Sequence, residues 1–146
     1  LNDKSPEYST VLFVDLDDFK DVNDAFGHGA GDDLLREVAA RLGRATRTGD
    51  LCARLGGAEF AVLLRGTRGG AAVEIARRIV LAVALPVPLA AGVAVVGASV
   101  GVATATNETD FEQLIHHADV AMYAAKNTGK ARIQIFHPGL LGPMGS

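Results

Sequence analysis

The sequence predicts an α/β (α+β) domain, with a central mixed, largely antiparallel sheet flanked by helices. Three observations carry that prediction. Residues 10–16 (TVLFVDL) read as a buried strand that runs into the acidic cluster Asp15, Asp17 and Asp18. Residues 51–55 and 60–64 flank Gly56-Gly57, a pair suited to a hairpin turn that needs positive φ. The elements follow in the order βααββαβαβ, and a hairpin inside that order argues against a doubly wound parallel sheet.

Each element has its own signal. After the first strand, Phe19, Val22 and Phe26 recur at helical spacing, and Gly27 ends that short helix. Gly31-Asp32-Asp33 opens a longer helix whose apolar stripe is Leu34, Leu35, Val38, Ala39 and Leu42, fading near Thr48-Gly49. Gly69-Gly70 starts a helix that runs through Ala84, with Val73, Ala76, Ile79, Val80 and Val83 inward. Residues 92–103 (GVAVVGASVGVA) read as a strand with small side chains where something must approach closely. Thr109 caps the last helix, Glu112 completes a capping box, and Gly129 terminates the helix beyond Asn127. Residues 131–136 give a final strand. One domain covers 1–137, and 138–146 read as a tail or vector remnant.

The 146-residue chain is long enough for one hydrophobic core, and 49 % hydrophobic with 21 % charged residues is an ordinary soluble composition. A net charge of -3 with scattered Lys and Arg argues against polymeric nucleic acid. Cys52 is the only cysteine, so disulfides within the chain and thiolate metal clusters are excluded, and its apolar neighbours mark a core residue. No signal peptide or membrane span is expected, because the apolar run 79–91 is short and holds Pro86 and Pro88. A cytoplasmic domain without direct membrane contact is the expectation, in a parent protein that could itself be anchored. The four histidines lack ligand spacing for zinc.

Four blocks in order, FVDLDDFKDVNDAFGHGAGD (13–32), RLGGAEF (54–60), ASVGVA (98–103) and ADVAMYAAKNTGK (118–130), together resemble the GGDEF domains, diguanylate cyclases that condense two GTP into cyclic di-GMP. The resemblance covers most of the chain and implies a nucleotidyl-cyclase, polymerase-palm-like fold. Two departures accompany it. The D-x-L-T-G-L-x-N-R segment that the family carries before the first strand is not matched by LNDKSPEYS, and Ala58 stands where the signature has Asp or Glu.

The resemblance implies a role for each block. Asp15 and the backbone of Leu16 would hold Mg²⁺ or Mn²⁺, with binding weakened because the second carboxylate is lost at Ala58; read without the family, Asp15 is a helix cap. Glu59, one residue along a strand, should face away from the side that residue 58 faces, which leaves Asp17 as the better substitute ligand. Guanine of GTP would be read by Asn23 and Asp32. The phosphates would lie on backbone N–H groups around Asp18, Phe19 and Lys20, with Lys126 and Lys130 on the terminal phosphate. Lys130 replaces an Arg of the family and forgoes its bidentate fork. Arg47 and Asp50 match the family's RxxD inhibitory site for cyclic di-GMP, which Arg78 of a neighbouring domain would complete; the plain alternative is an ion pair at a helix end.

The resulting expectation is a catalytically degenerate GGDEF domain acting as a nucleotide-binding regulatory module. The rivals are an active cyclase and a dimerising module that binds no nucleotide. A homodimer and a downstream phosphodiesterase (EAL) domain after Phe136-His-Pro are the expected protein partners.

Overall fold

The computed structural model describes residues 8–142. In chain order the elements are β1 (Thr10–Asp17), α1 (Phe19–Phe26), α2 (His28–Ala45), β2 (Leu51–Gly56) and β3 (Glu59–Leu64). They continue with α3 (Gly69–Val83), β4 (Val87–Leu89), β5 (Gly92–Ala94), β6 (Gly97–Thr104), α4 (Phe111–Asn127), β7 (Ile133–Ile135) and a 3-10 turn at Pro138–Leu141. Five strands form one sheet in the order β2-β3-β1-β6-β7, and β4-β5 is a separate hairpin. The pairs of the large sheet are antiparallel except β6 with β7. The mixed, largely antiparallel sheet is therefore present.

Alternation along β1 explains the two layers. Leu12, Val14 and Leu16 join the cluster that holds Leu34, Val38 and Leu42 of α2 and Ile75, Ile79 and Val83 of α3. Val11 and Phe13 point the other way, into a cluster with Leu114, Ala118 and Met122 of α4. Each such side chain, fully buried, contributes about 1.5–3 kcal/mol, so a one-residue slip of β1 would forfeit several at once. The same alternation carries Asp15 and Asp17 onto the α4 face, at the sheet end where β1 meets α1.

Two contacts hold the layers at their spacing. A side chain at Gly101 of β6 would place its Cβ 2.2 Å from the Met122 nitrogen and 2.3 Å from the Ala118 oxygen, so α4 lies directly on the β6 backbone. This is the close approach that the small residues of 92–103 imply. On the other layer, Arg41 of α2 donates to the carbonyls of Ala82, Leu85 and Pro86, satisfying the open end of α3.

Several boundaries differ from the sequence expectation. The helix expected from Gly31 begins at His28, directly after Gly27. The strand expected over 92–103 is interrupted between Ala94 and Gly97, and the short β4 pairs with its first part. The cap of α4 is Asp110 with Gln113 in a reciprocal capping box, one residue after the expected Thr109 with Glu112; Thr109 hydrogen-bonds Thr106 instead. Part of the expected tail is ordered, since the turn at Pro138–Leu141 lies against α4. Residues 1–7 and 143–146, including the LNDKSPE stretch and the last residues of the tail, lie outside the described residues. Among the described residues, no helix is long and apolar enough to cross a membrane.

Candidate functional site

The acidic end of β1 meets the loop after α4. Among the described residues the non-glycine residues with positive φ, Asp18 (59°), Lys130 (63°) and Ala131 (48°), all fall at this junction. Backbone in that region costs roughly 1–3 kcal/mol per residue and persists where surrounding contacts hold it. Those contacts are side chains: Lys130 Nζ lies 2.8 Å from Asp18 Oδ1, and the Ala131 N–H donates to Asp17 Oδ2 at 2.9 Å. The Lys130 hydrogen bond holds the Asp18 carboxyl below its ordinary range, and Asp18 in turn raises Lys130.

Asp17 is buried, and Ser99 Oγ donates to its Oδ1 at 2.6 Å. With Ala131 on the second oxygen, this carboxylate ties β1, β6 and the loop after α4 together. A structural carboxylate so engaged is a poor substitute metal ligand. Asp15 is only half-buried, and burial pushes its carboxyl up against the opposing pull of Lys126. Lys126 Nζ stands 3.3 Å from Asp15 Oδ1 and 3.4 Å from Asp17 Oδ1.

The hairpin register revises the expected geometry of the signature. Asp15 pairs directly with Glu59, which places both side chains on the α4 face. Burial raises the Glu59 carboxyl, and Asp15 and then Asp119 raise it further. Ala58 instead packs against the cluster that contains Leu16, while its carbonyl accepts from the Leu16 N–H at 3.1 Å. Positions 58 and 59 do face opposite ways, but Glu59 is the one on the side of Asp15. Arg54, which the sequence reading left unassigned, forks onto the Gly57 carbonyl from Nε (3.2 Å) and NH2 (2.9 Å) and so closes the turn. Its position two residues before the glycine pair was the available signal.

A divalent cation fits this corner in one way. Mg²⁺ is commonly held by one or two carboxylates together with phosphate oxygens. Asp15 supplies one such carboxylate. Among the described residues no three His, Cys, Asp or Glu side chains are arranged to hold an ion by themselves. The residues fit a metal shared with a bound phosphate.

Of the two residues expected to read guanine, Asp32 lines a hollow of about 380 Å³ with Leu35, Arg36, Ala39, Arg54 and Phe60, and Asn23 does not. Asn23 Oδ1 is buried without a hydrogen-bond partner, and a Cβ on Gly31 would fall 1.9 Å from it. Gly31 therefore makes the space that Asn23 occupies. Phe19 packs beside the same glycine, and Lys20 is exposed in the first turn of α1.

Of the residues expected to form the second site, Arg47 and Arg78 line a hollow of about 600 Å³ together with Thr67, Arg68, Glu74 and Ile75 among others, and Asp50 does not line it. Arg47 NH2 donates to the Arg65 carbonyl at 2.8 Å and to Thr67 Oγ1. The Asp50 side chain is 1 % exposed and accepts from the backbone N–H groups of Arg47 (2.9 Å) and Arg65 (3.0 Å). Asp50 thus holds the loop under Arg47. Arg47 and Arg78 line one hollow of a single chain, so Arg78 needs no second domain to stand near Arg47.

Comparison with known proteins agrees with this architecture. A sequence profile described as "Diguanylate cyclase, GGDEF domain" matches residues 2–132. The chain is 42 % identical over 127 residues to the diguanylate cyclase TpbB of Pseudomonas aeruginosa, covering 85 % of this chain and 29 % of TpbB. It is 39 % identical over 129 residues to the cyclic di-GMP phosphodiesterase PdeR of Escherichia coli, covering 88 % of this chain and 20 % of PdeR. The chain therefore spans less than a third of either relative. The crystal structure of the TpbB GGDEF domain superposes with a TM-score of 0.84 at 38 % identity, over 90 % of this chain and 83 % of that one. That of the GGDEF domain of DgcB from Caulobacter crescentus, in complex with cyclic di-GMP, gives 0.81 at 27 % identity over 86 % and 74 %. The chain belongs to the GGDEF domain family.

Proposed function

We propose that this GGDEF domain, of a kind found in cyclic di-GMP signalling proteins, is a nucleotide-responsive regulatory module with little cyclase activity of its own. The observation that carries the reading is the methyl group of Ala58, packed on the core where the family's signature is acidic. Asp15 is then left without a second carboxylate from that position, and Asp17 is committed to Ser99 and Ala131. Condensation requires the 3′-hydroxyl of one GTP to attack the α-phosphorus of another, and its barrier is lowered chiefly by positioning and charge. Diguanylate cyclases of this family generally use Mg²⁺ or Mn²⁺, which when bound stabilises developing negative charge on phosphate and alkoxide oxygens. A preorganised electrostatic group is worth roughly 3–4 kcal/mol, so its loss costs about a hundredfold or more in rate.

GTP in this reading is held by Asp32 and Asn23 at the base, by the N–H groups of the first turn of α1 at the phosphates, and by Lys126 and Lys130 at the terminal phosphate. Cyclic di-GMP takes the hollow of Arg47 and Arg78, with Asp50 acting through the loop it holds. The DgcB complex supports the ligand class, and similarity to PdeR supports a phosphodiesterase domain as a partner within the parent protein.

Chromatography after incubation with GTP and Mg²⁺ or Mn²⁺ tests the catalytic part: only traces of cyclic di-GMP are expected, and turnover at ordinary cyclase rates overturns it. The rival, a working cyclase, is favoured by Glu59 standing on the side of Asp15. Calorimetry tests the binding part. Arg47→Ala should weaken cyclic di-GMP about five- to 150-fold, because a bidentate arginine–guanine pair is worth roughly 1–3 kcal/mol. GTP affinity should hardly move.

A further inference from the structure

Lys126, on the last turn of α4, stands between the two carboxylates that end β1, 3.3 Å from Asp15 and 3.4 Å from Asp17. The side chains are 24 %, 18 % and 5 % exposed, so water screens the group only in part. Asp17 cannot swing away, because Ser99 and the Ala131 N–H hold its two oxygens. Among the described residues Asp15 has no such ties, and an arriving cation must compete for it with the ammonium. Asp15, Asp17 and the facing Glu59 set about three negative charges against one ammonium, so a dication drawn to the corner still meets that ammonium at close range. Ala58 adds no charge to tip that balance.

From this geometry we infer that Lys126 is the resident cation of the acidic corner: it excludes free divalent metal and gives way when nucleotide phosphates draw its ammonium off Asp15. The lysine stem is long and flexible, so the same ammonium can move from carboxylate to phosphate without rearranging α4. Metal then enters as a complex with nucleotide. This agrees with the absence, among the described residues, of a three-ligand set able to hold an ion alone. The inference rests on the ion-pair geometry and is independent of which guanine nucleotide the domain takes.

The test is Mn²⁺ binding to the full chain without nucleotide, followed by the electron paramagnetic resonance signal of the free ion. The wild type should bind weakly. Lys126→Gln and Lys126→Met should bind Mn²⁺ at least about tenfold more tightly, since a unit charge about 4 Å from a dication is worth more than that even in water. Lys126→Arg, which keeps the charge, should remain weak. Mn²⁺ should also raise the unfolding temperature of the neutral variants more than that of the wild type. Folded neutral variants that bind Mn²⁺ no better than the wild type overturn the inference. So does equal tightening in Lys126→Arg, which would make the effect one of shape rather than charge. Failure of cyclic di-GMP to bind would count against the proposed function and leave this result unchanged.

Discussion

At position 58 a methyl group packs against the core cluster that contains Leu16 on one side of the sheet, while Glu59 stands opposite Asp15 on the other. Restoring charge with Ala58→Glu places a long side chain in the turn at the tip of the hairpin, the turn that Arg54 closes. If the family's acidic residue acts there, Ala58→Glu should tighten Mn²⁺ binding in the presence of GTP and raise cyclic di-GMP formation about a hundredfold over the parent. Chromatography of the product checks it; a flat result would direct attention to Lys130, now paired with Asp18. Much at this scale was legible. Asp15, Lys126 and Lys130 were placed from the sequence near one site, and the structure brings them to one corner. The work of Asp17 was not legible, because its partner Ser99 lies 82 residues away and only the β1–β6 register joins them. The side taken by Glu59 was missed for a related reason: alternation says that neighbours oppose each other, but only the pairing partner says which of them faces Asp15.

Elements were legible where periodicity was long and illegible where caps compete. The alternation of β1 and most of the α2 and α3 stripes are sustained patterns that reach the core clusters, but Ala39 of the expected α2 stripe is exposed, and Ala72 and Ile75 rather than Val73 are buried on α3. At the start of α4, TNETDFEQ offers two overlapping boxes, and local hydrogen bonding of Thr109 with Thr106 leaves Asp110 as the cap. The short β4 was hidden by Pro88, which an edge of a two-stranded hairpin tolerates. The exit from the sheet is held to α4 by a stack of His117 on Phe136, with ring centroids 3.9 Å apart and 6° between planes. Burial, and then neighbouring His116, lowers the His117 pKa below its ordinary 6.5. The folded state therefore binds fewer protons than the unfolded chain as the pH falls through that range. The stability His117 contributes is complete above the unfolded value and is lost as pH falls through the depressed folded one. His117→Phe keeps a stacked ring and removes the titration. Thermal unfolding from pH 7.5 to pH 5 should show the wild type losing stability relative to this variant, by a small margin because the ring is partly solvated. Parallel pH profiles would leave the stack without titration linkage.

Across the whole molecule, folding concentrates charge that the sequence spreads out. Arginines at 47, 68 and 78 line one hollow, while the carboxylates of Asp15, Asp17 and Asp18 gather at the end of β1 with two lysines from the far end of the chain. A scattered basic composition thus concealed a local cationic hollow, since clustering here depends on the loop after β3 meeting the start of α3. The expected division of labour, with Arg47 on one domain and Arg78 on another, follows from the resemblance; the structure adds that both reach the same hollow within one chain. This makes a distinguishable prediction for Arg78→Ala. If Arg78 acts within its own chain, calorimetry at concentrations where the protein is monomeric should show cyclic di-GMP affinity falling several-fold, toward the lower end of the loss expected for Arg47→Ala. If it acts only across domains, monomer affinity should be unchanged, and sedimentation should show the ligand-dependent dimer weakened instead. The geometry favours the first outcome, because Arg78 donates at 3.4 Å to Ala45 at the end of α2 and is thereby turned toward the chain segment that carries Arg47.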